Sequence, residues 1–193
     1  MNYAWERTTA PAGTPVLLEE MKDHLRVDHE DDDALIHALL YAATAYVEDA
    51  TGRSLVTQTW KLTLDALPTC RCIKLPMPPL ASVTSVKYTP AGDSEVTIGS
   101  STYTVWTAAE QLCLNDGVTW PSAIVNAGGV VFEFIAGAAR EAVSELDKIM
   151  VKLLCAHWYE NRETVIVGTI SSELEFTMTT LINTNRSFWA KPW

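Results

Sequence analysis

The feature that most constrains the fold is a change of periodicity at Leu55. Upstream of it, over 32–51 (DDALIHALLYAATAYVEDAT), Ile36, Leu40, Ala43, Val47 and Ala50 recur at helical spacing, and Leu35, Leu39, Ala42 and Tyr46 widen the stripe. An apolar face that broad belongs to a helix packed on more than one neighbour, about 30 Å long at 1.5 Å per residue. Gly52 stands where a left-handed stop is expected, and Arg53 lies by the negative helix end. Downstream, VTQTWKLTL alternates: Val56, Gln58, Trp60, Leu62 and Leu64 share one face, Thr57, Thr59, Lys61 and Thr63 the other. That is a half-buried antiparallel strand. A helix and a strand this close in the chain predict an α+β protein.

The rest of the chain extends both halves of the pattern. Strands are expected at 72–75, 83–88, 95–98, 102–106, 111–114 and 130–135, separated by the turn signals of residues 76–79, 90–93, 99–101 and 115–117. Seven short strands predict a small sheet or sandwich of about 80 residues set between helices. A short helix is expected over 18–25, with Leu18, Met21 and Leu25 at helical spacing. A third long helix starts near Ser144, capped with Asp147, and carries Leu146, Ile149, Met150, Leu153, Leu154, His157 and Trp158. A fourth fits 173–182, with Ser172 and Glu175 as a capping box. The expected organisation is N-terminal helices over 1–54, a β subdomain over 55–138, C-terminal helices over 139–182 and a tail over 183–193.

Charge limits the function classes. The net charge is −10, and residues 1–50 hold 11 acids against 3 bases, so nearly all of the excess sits there. A protein that grips nucleic acid by neutralising phosphates needs a basic face, and none is visible. No apolar run approaches the ~20 residues of a membrane span, and MNYAWERTTAPAG lacks the pattern of a signal peptide. Synthesis and folding in a cytoplasm are therefore expected. Of the four cysteines, Cys70 and Cys72 are too close for an easy disulfide and Cys155 falls in a helical stripe, so free thiols are expected.

Five acids in six residues, Asp28, Glu30, Asp31, Asp32 and Asp33, precede the long helix. A calcium loop would need alternating ligands, a glycine at the bend and a distal bidentate Glu, and the stretch has neither the glycine nor the spacing. Helix capping explains it better: Asp31 or Asp32 as N-cap, its neighbours at the positive end of the dipole. His157 and Glu160 have a spacing that metal sites use, with Glu163 as a third candidate, but an exposed helix end explains them as well. Cys155 and His157 point apart on a helix, and nucleophile elbows, phosphate loops and dinucleotide fingerprints are missing. The chain is not expected to be an enzyme, and no cofactor or metal is expected. The tail is the remaining feature: Arg186, Phe188, Trp189, Lys191 and Trp193, three large aromatics and two cations with no acid, are residue types that anchor interfaces.

Several segments taken together resemble the head–tail connector (head-completion adaptor) family of tailed bacteriophages. They are PVLLEEMKDHLRVDHEDDDALIHALLYAATAYVEDATGRSLVTQTWKL, IKLPMPPLASVTSVKY and KLLCAHWYENRE, in that order, over residues 15–163. The family often places a Ser at the first helix's cap with Glu three residues on; here Leu17 precedes Glu20.

The resemblance implies a small bundle of three to four helices, with the β subdomain inserted between the second and third long helices. It also implies a ring, usually of twelve copies, under the portal, which extends the DNA channel and receives the stopper or tail-completion protein. The partners are then the chain itself, the portal, the stopper, and double-stranded DNA that passes without specific binding; no membrane is involved. The implied location is the virion head–tail junction, after synthesis in the host bacterial cytoplasm. By position in the chain, residues 183–193 become the portal-docking arm, and the 28–33 acids a candidate channel lining. Twelve such chains carry about −120 in sum, which repels phosphates and lets DNA slide. Two other classes compete: a DNA-packaging accessory protein like a small terminase subunit, which needs a basic recognition helix, and a metal-dependent hydrolase built on His157, Glu160 and Glu163.

Overall fold

The computed structural model describes residues 3–92, 94–121, 125–161 and 172–187. The chain divides into two compact units, Met1–Pro11 with Thr57–Gly137, and Ala12–Val56 with Ala138–Trp193.

The first unit is antiparallel β structure. Strands β1 (Tyr3–Thr9), β2 (Gln58–Leu64), β3 (Cys72–Lys74), β4 (Leu80–Pro90), β5 (Val96–Thr97), β6 (Tyr103–Trp106), β7 (Gln111–Leu114) and β8 (Val125–Ala136) form two sheets, ordered β1-β2-β8-β4-β5 and β3-β7-β6. The two-residue period of β2 is realised as expected, with Gln58, Trp60, Leu62 and Leu64 buried and the residues between them half-buried. Register sets Trp60 against Phe134 and Leu62 against Phe132, while β4 brings Val86 to the other side of Phe132. Both sheets contribute to one core, since Leu112, Leu114 and Tyr103 pack in the cluster with Phe132 and Phe134. The inner faces of a small sandwich bury apolar side chains in this way.

Two features of this unit depart from expectation. Residues 3–9, grouped from the sequence with the N-terminal helices, form β1 on the edge of the large sheet, paired antiparallel with β2. Arg7 lies 5.6 Å over the Trp60 ring and donates to Gln58 Oε1 at 3.1 Å. The cysteines are also not all free. Cys72 and Cys113 stand opposite each other in the β3–β7 register and are joined by a disulfide, leaving Cys70 exposed and Cys155 buried as thiols.

The second unit is helical: α1 (Leu18–Leu25), α2 (Asp33–Thr51), α3 (Glu145–Glu160) and α4 (Ser172–Asn185). α2 is central and packs against the other three, and α1 and α4 also touch α3. Its stripe of Ile36, Leu40, Ala43, Val47 and Ala50 is buried with Val16, Met21, Met150, Val151, Leu154, Cys155, Met178 and Ile182. Gly52 ends α2 at φ 65°, a left-handed conformation that costs a side-chain-bearing residue about 1 kcal/mol. Val56 bridges Ala138, and Ala138 N–H donates to the Leu55 carbonyl at 3.1 Å, so the chain's departure from the helices and its return lie side by side.

Candidate functional site

The acidic stretch is divided by what its members touch. Asp28, Glu30 and Asp31 are exposed, whereas Asp32 and Asp33 are half-buried. Asp32 occupies the N-cap position but makes no side-chain cap hydrogen bond, contrary to the expected capping role. Its Oδ2 instead accepts from the Tyr159 hydroxyl at 2.6 Å, a partner 127 residues away that lies on α3. Asp33 pairs with Lys22 of α1 at 2.6 Å. That hydrogen bond, reinforced by the charges of Asp33, Glu30 and Asp28, raises the Lys22 ammonium above its ordinary range. The stretch thus pins α2 to α1 and α3 with two carboxylates and presents three others to solvent.

The start of the C-terminal segment is fixed at the far end of α2. Ser187 N–H donates to the Thr51 carbonyl at 2.8 Å, and its hydroxyl donates to the Gly52 carbonyl at 2.7 Å. Both carbonyls belong to the helix terminus, where backbone acceptors lack intrahelical partners. Two residues earlier Asn185 reaches Asp147. Arg186 is half-buried. Phe188, Trp189, Lys191 and Trp193 lie outside the described residues, as does Glu163.

His157 contacts Asn161, whose amide donates to the His157 carbonyl at 2.8 Å and lies 3.3 Å from Nδ1, while Glu160 is exposed. Among the described residues no group of three or more His, Cys, Asp or Glu is placed to hold a metal ion. The buried Cys155 thiol is pushed up to about 11 by desolvation, the opposite of what a nucleophile at neutral pH requires.

Comparison with known proteins gives two concordant results. Residues 15–77 match the family of Phage gp6-like head-tail connector proteins. Three solved chains resemble this one over 98% of both chains. One is from the neck of an empty GTA particle computed with C6 symmetry (26% identity, TM-score 0.76). A second is from the virion of a native gene transfer agent (GTA) particle (27%, 0.76). The third is from the neck of a native GTA particle computed with C12 symmetry (26%, 0.74). No curated protein matches. The matched family segment runs from Pro15, ahead of α1, through α2 to Met77, so it contains the acidic stretch, the Gly52 terminus and β2. The family and the neck structures are those of structural proteins and not of enzymes.

Proposed function

We propose that this chain, a member of the phage head–tail connector family, forms a ring of twelve copies at the head–tail junction, beneath the portal, through which double-stranded DNA passes. The observation that carries the reading is the likeness, over 98% of both chains, to components of particle necks computed with C6 and C12 symmetry. Charge supports the conduit. With a net charge of −10 and with Asp28, Glu30 and Asp31 exposed, the chain repels phosphates where these acids face the channel. The segment over 183–193 is proposed as the portal-docking arm, with Arg186, Phe188, Trp189, Lys191 and Trp193 as its anchors, and a stopper or tail-completion protein binds the opposite side of the ring. The hold on Ser187 and Asn185 supports the arm, because it fixes where the segment leaves the helices. The β unit is read as an insertion between α2 and α3, supported by the pairing of Val56 with Ala138.

The test is the mass of the purified protein, alone and mixed with its portal, by light scattering with negative-stain imaging. Rings, free or capping the portal, are expected. Deleting residues 188–193 should leave the fold intact and abolish portal attachment. A monomer indifferent to the portal would overturn the reading.

A further inference from the structure

Resting on the connector reading, we infer that the outward face of α2, formed by Ala34, Ala38, Tyr41, Ala42 and Ala45, is the seat for a neighbouring copy of this chain in the ring. From Ala34 to Val47 the sequence holds no Asp, Glu, Lys or Arg. The inward stripe of that stretch is buried in the helical core, but the five outward side chains are exposed, Tyr41 at 41%. The His37 ring meets Tyr41 edge-on at 4.9 Å, adding an aromatic ridge to the alanines. A solvent-facing helix surface ordinarily carries charge, and α1 does so, exposing Glu19, Glu20 and Asp23. The outward face of α2 carries none until Asp49, near its C-terminal end.

Charge selects the occupant. Nucleic acid finds no cation on this face to neutralise a phosphate. A second copy, itself at −10, is repelled wherever acid meets acid, so it approaches at least cost on a neutral, apolar surface where no charge has to be desolvated. A cyclic ring needs a head-to-tail contact between two different surfaces of each copy. Besides Tyr41, the helical unit's exposed large apolar side chains, among the described residues, are Tyr46 on α2 itself and, on other elements, Leu17 ahead of α1 and Ile149 on α3. Both α1 and α3 pack against the inward side of α2, so Leu17 and Ile149, which lie outside α2, supply the second surface. The ring-symmetric relatives match this chain over 98% of its length, so α2 is part of what they share.

The experiment uses particles from the producing cells, with a photo-reactive benzophenone amino acid in place of Tyr41 in the full chain. Irradiation is expected to give a band at twice 21.3 kDa whose joined peptide lies outside α2 and contains Leu17 or Ile149. Ala42→Glu should melt like the parent and be lost from particles, whereas Ala142→Glu, at an exposed position outside α2, should enter them normally. A cross-link to a different protein, a cross-link between two α2 helices, or normal uptake of Ala42→Glu would overturn the inference and leave the connector reading standing. Should the benzophenone itself block uptake, the contrast between Ala42→Glu and Ala142→Glu decides alone. Absence of the parent chain from particles would instead overturn the connector reading, and the inference with it.

Discussion

Asn185, in the last turn of α4, donates its side-chain amide to the carboxylate of Asp147, in the first turn of α3. Asp147 is only 2% exposed and is nonetheless fully engaged. The Ser144 hydroxyl donates to it at 2.8 Å, its own backbone N–H donates back to Ser144 Oγ at 3.1 Å, and Arg53 stands 3.4 Å from the same carboxylate. One buried acid therefore joins the start of α3, the turn that ends α2 and the end of α4. A buried carboxylate persists only when it is paired and hydrogen-bonded in this way.

Asp147→Ala is expected to destabilise the chain by about 2–4 kcal/mol, since it removes a helix cap and strands several donors. Urea unfolding measures it. Asn185→Ala removes one bond and should cost about 1 kcal/mol. Its sharper readout is limited proteolysis: cleavage near Arg186 should speed up while the melting of α1–α3 barely moves. Equal losses for the two variants would show that Asp147 acts mainly through Asn185.

Which elements were legible follows from the range of the interactions that make them. α1 over Leu18–Leu25, β7 over Gln111–Leu114, the Gly52 stop and the Ser144–Asp147 cap are all set within a few residues, and the structure has them where the sequence puts them. β1 escaped because it is an edge strand. Its residues are exposed apart from the half-buried Trp5, so it lacks the apolar alternation that marks β2. The alternation of Tyr3, Trp5 and Arg7, which face Leu64, Leu62 and Trp60 in register, was the available signal. Asp32 obeyed no local rule, because Tyr159 offers its carboxylate a hydroxyl that only the folded helices bring near. The Cys72–Cys113 pairing likewise depends on the β3–β7 register, across 41 residues.

At the start of α1, Leu17 sits in the N-cap position with φ −73° and ψ 153°, makes no cap hydrogen bond and is exposed. Glu20 already stands three residues on, where a capping box needs it. Leu17→Ser supplies the missing half at little loss of burial. The expected gain is about 0.5–1 kcal/mol in urea unfolding of the monomer, and no gain would show that the first-turn amides are already satisfied by water.

The four cysteines should respond differently to alkylation. Cys70 is exposed and should be modified in the native chain, while Cys155 is fully buried and should react only after unfolding. Cys72 and Cys113 should react only after reduction. Mass spectrometry of iodoacetamide-treated protein, with and without reductant, reads all four at once. Reduction, or replacing both cysteines by serine, should lower the stability of the β unit by about 2–4 kcal/mol, because the cross-link closes a long loop in the unfolded chain.

Cys155 also gives the helical unit an alkaline limit. Burial raises its thiol from 9.0 to about 11, so the unfolded chain releases this proton at lower pH than the folded chain does. The unfolded state therefore binds fewer protons between those two values, and stability falls as pH rises through that window. Below about pH 9 the thiol's contribution is whole, and above about 11 it is gone. Unfolding midpoints of the parent and of Cys155→Ala, compared from pH 8 to pH 11, should differ in slope: the parent declines more steeply. Cys155→Ala opens a small cavity and lowers the whole curve, so the slope and not the level is the measurement. Parallel curves would mean that the thiol stays protonated through local opening of α3, or that another group governs the alkaline limb.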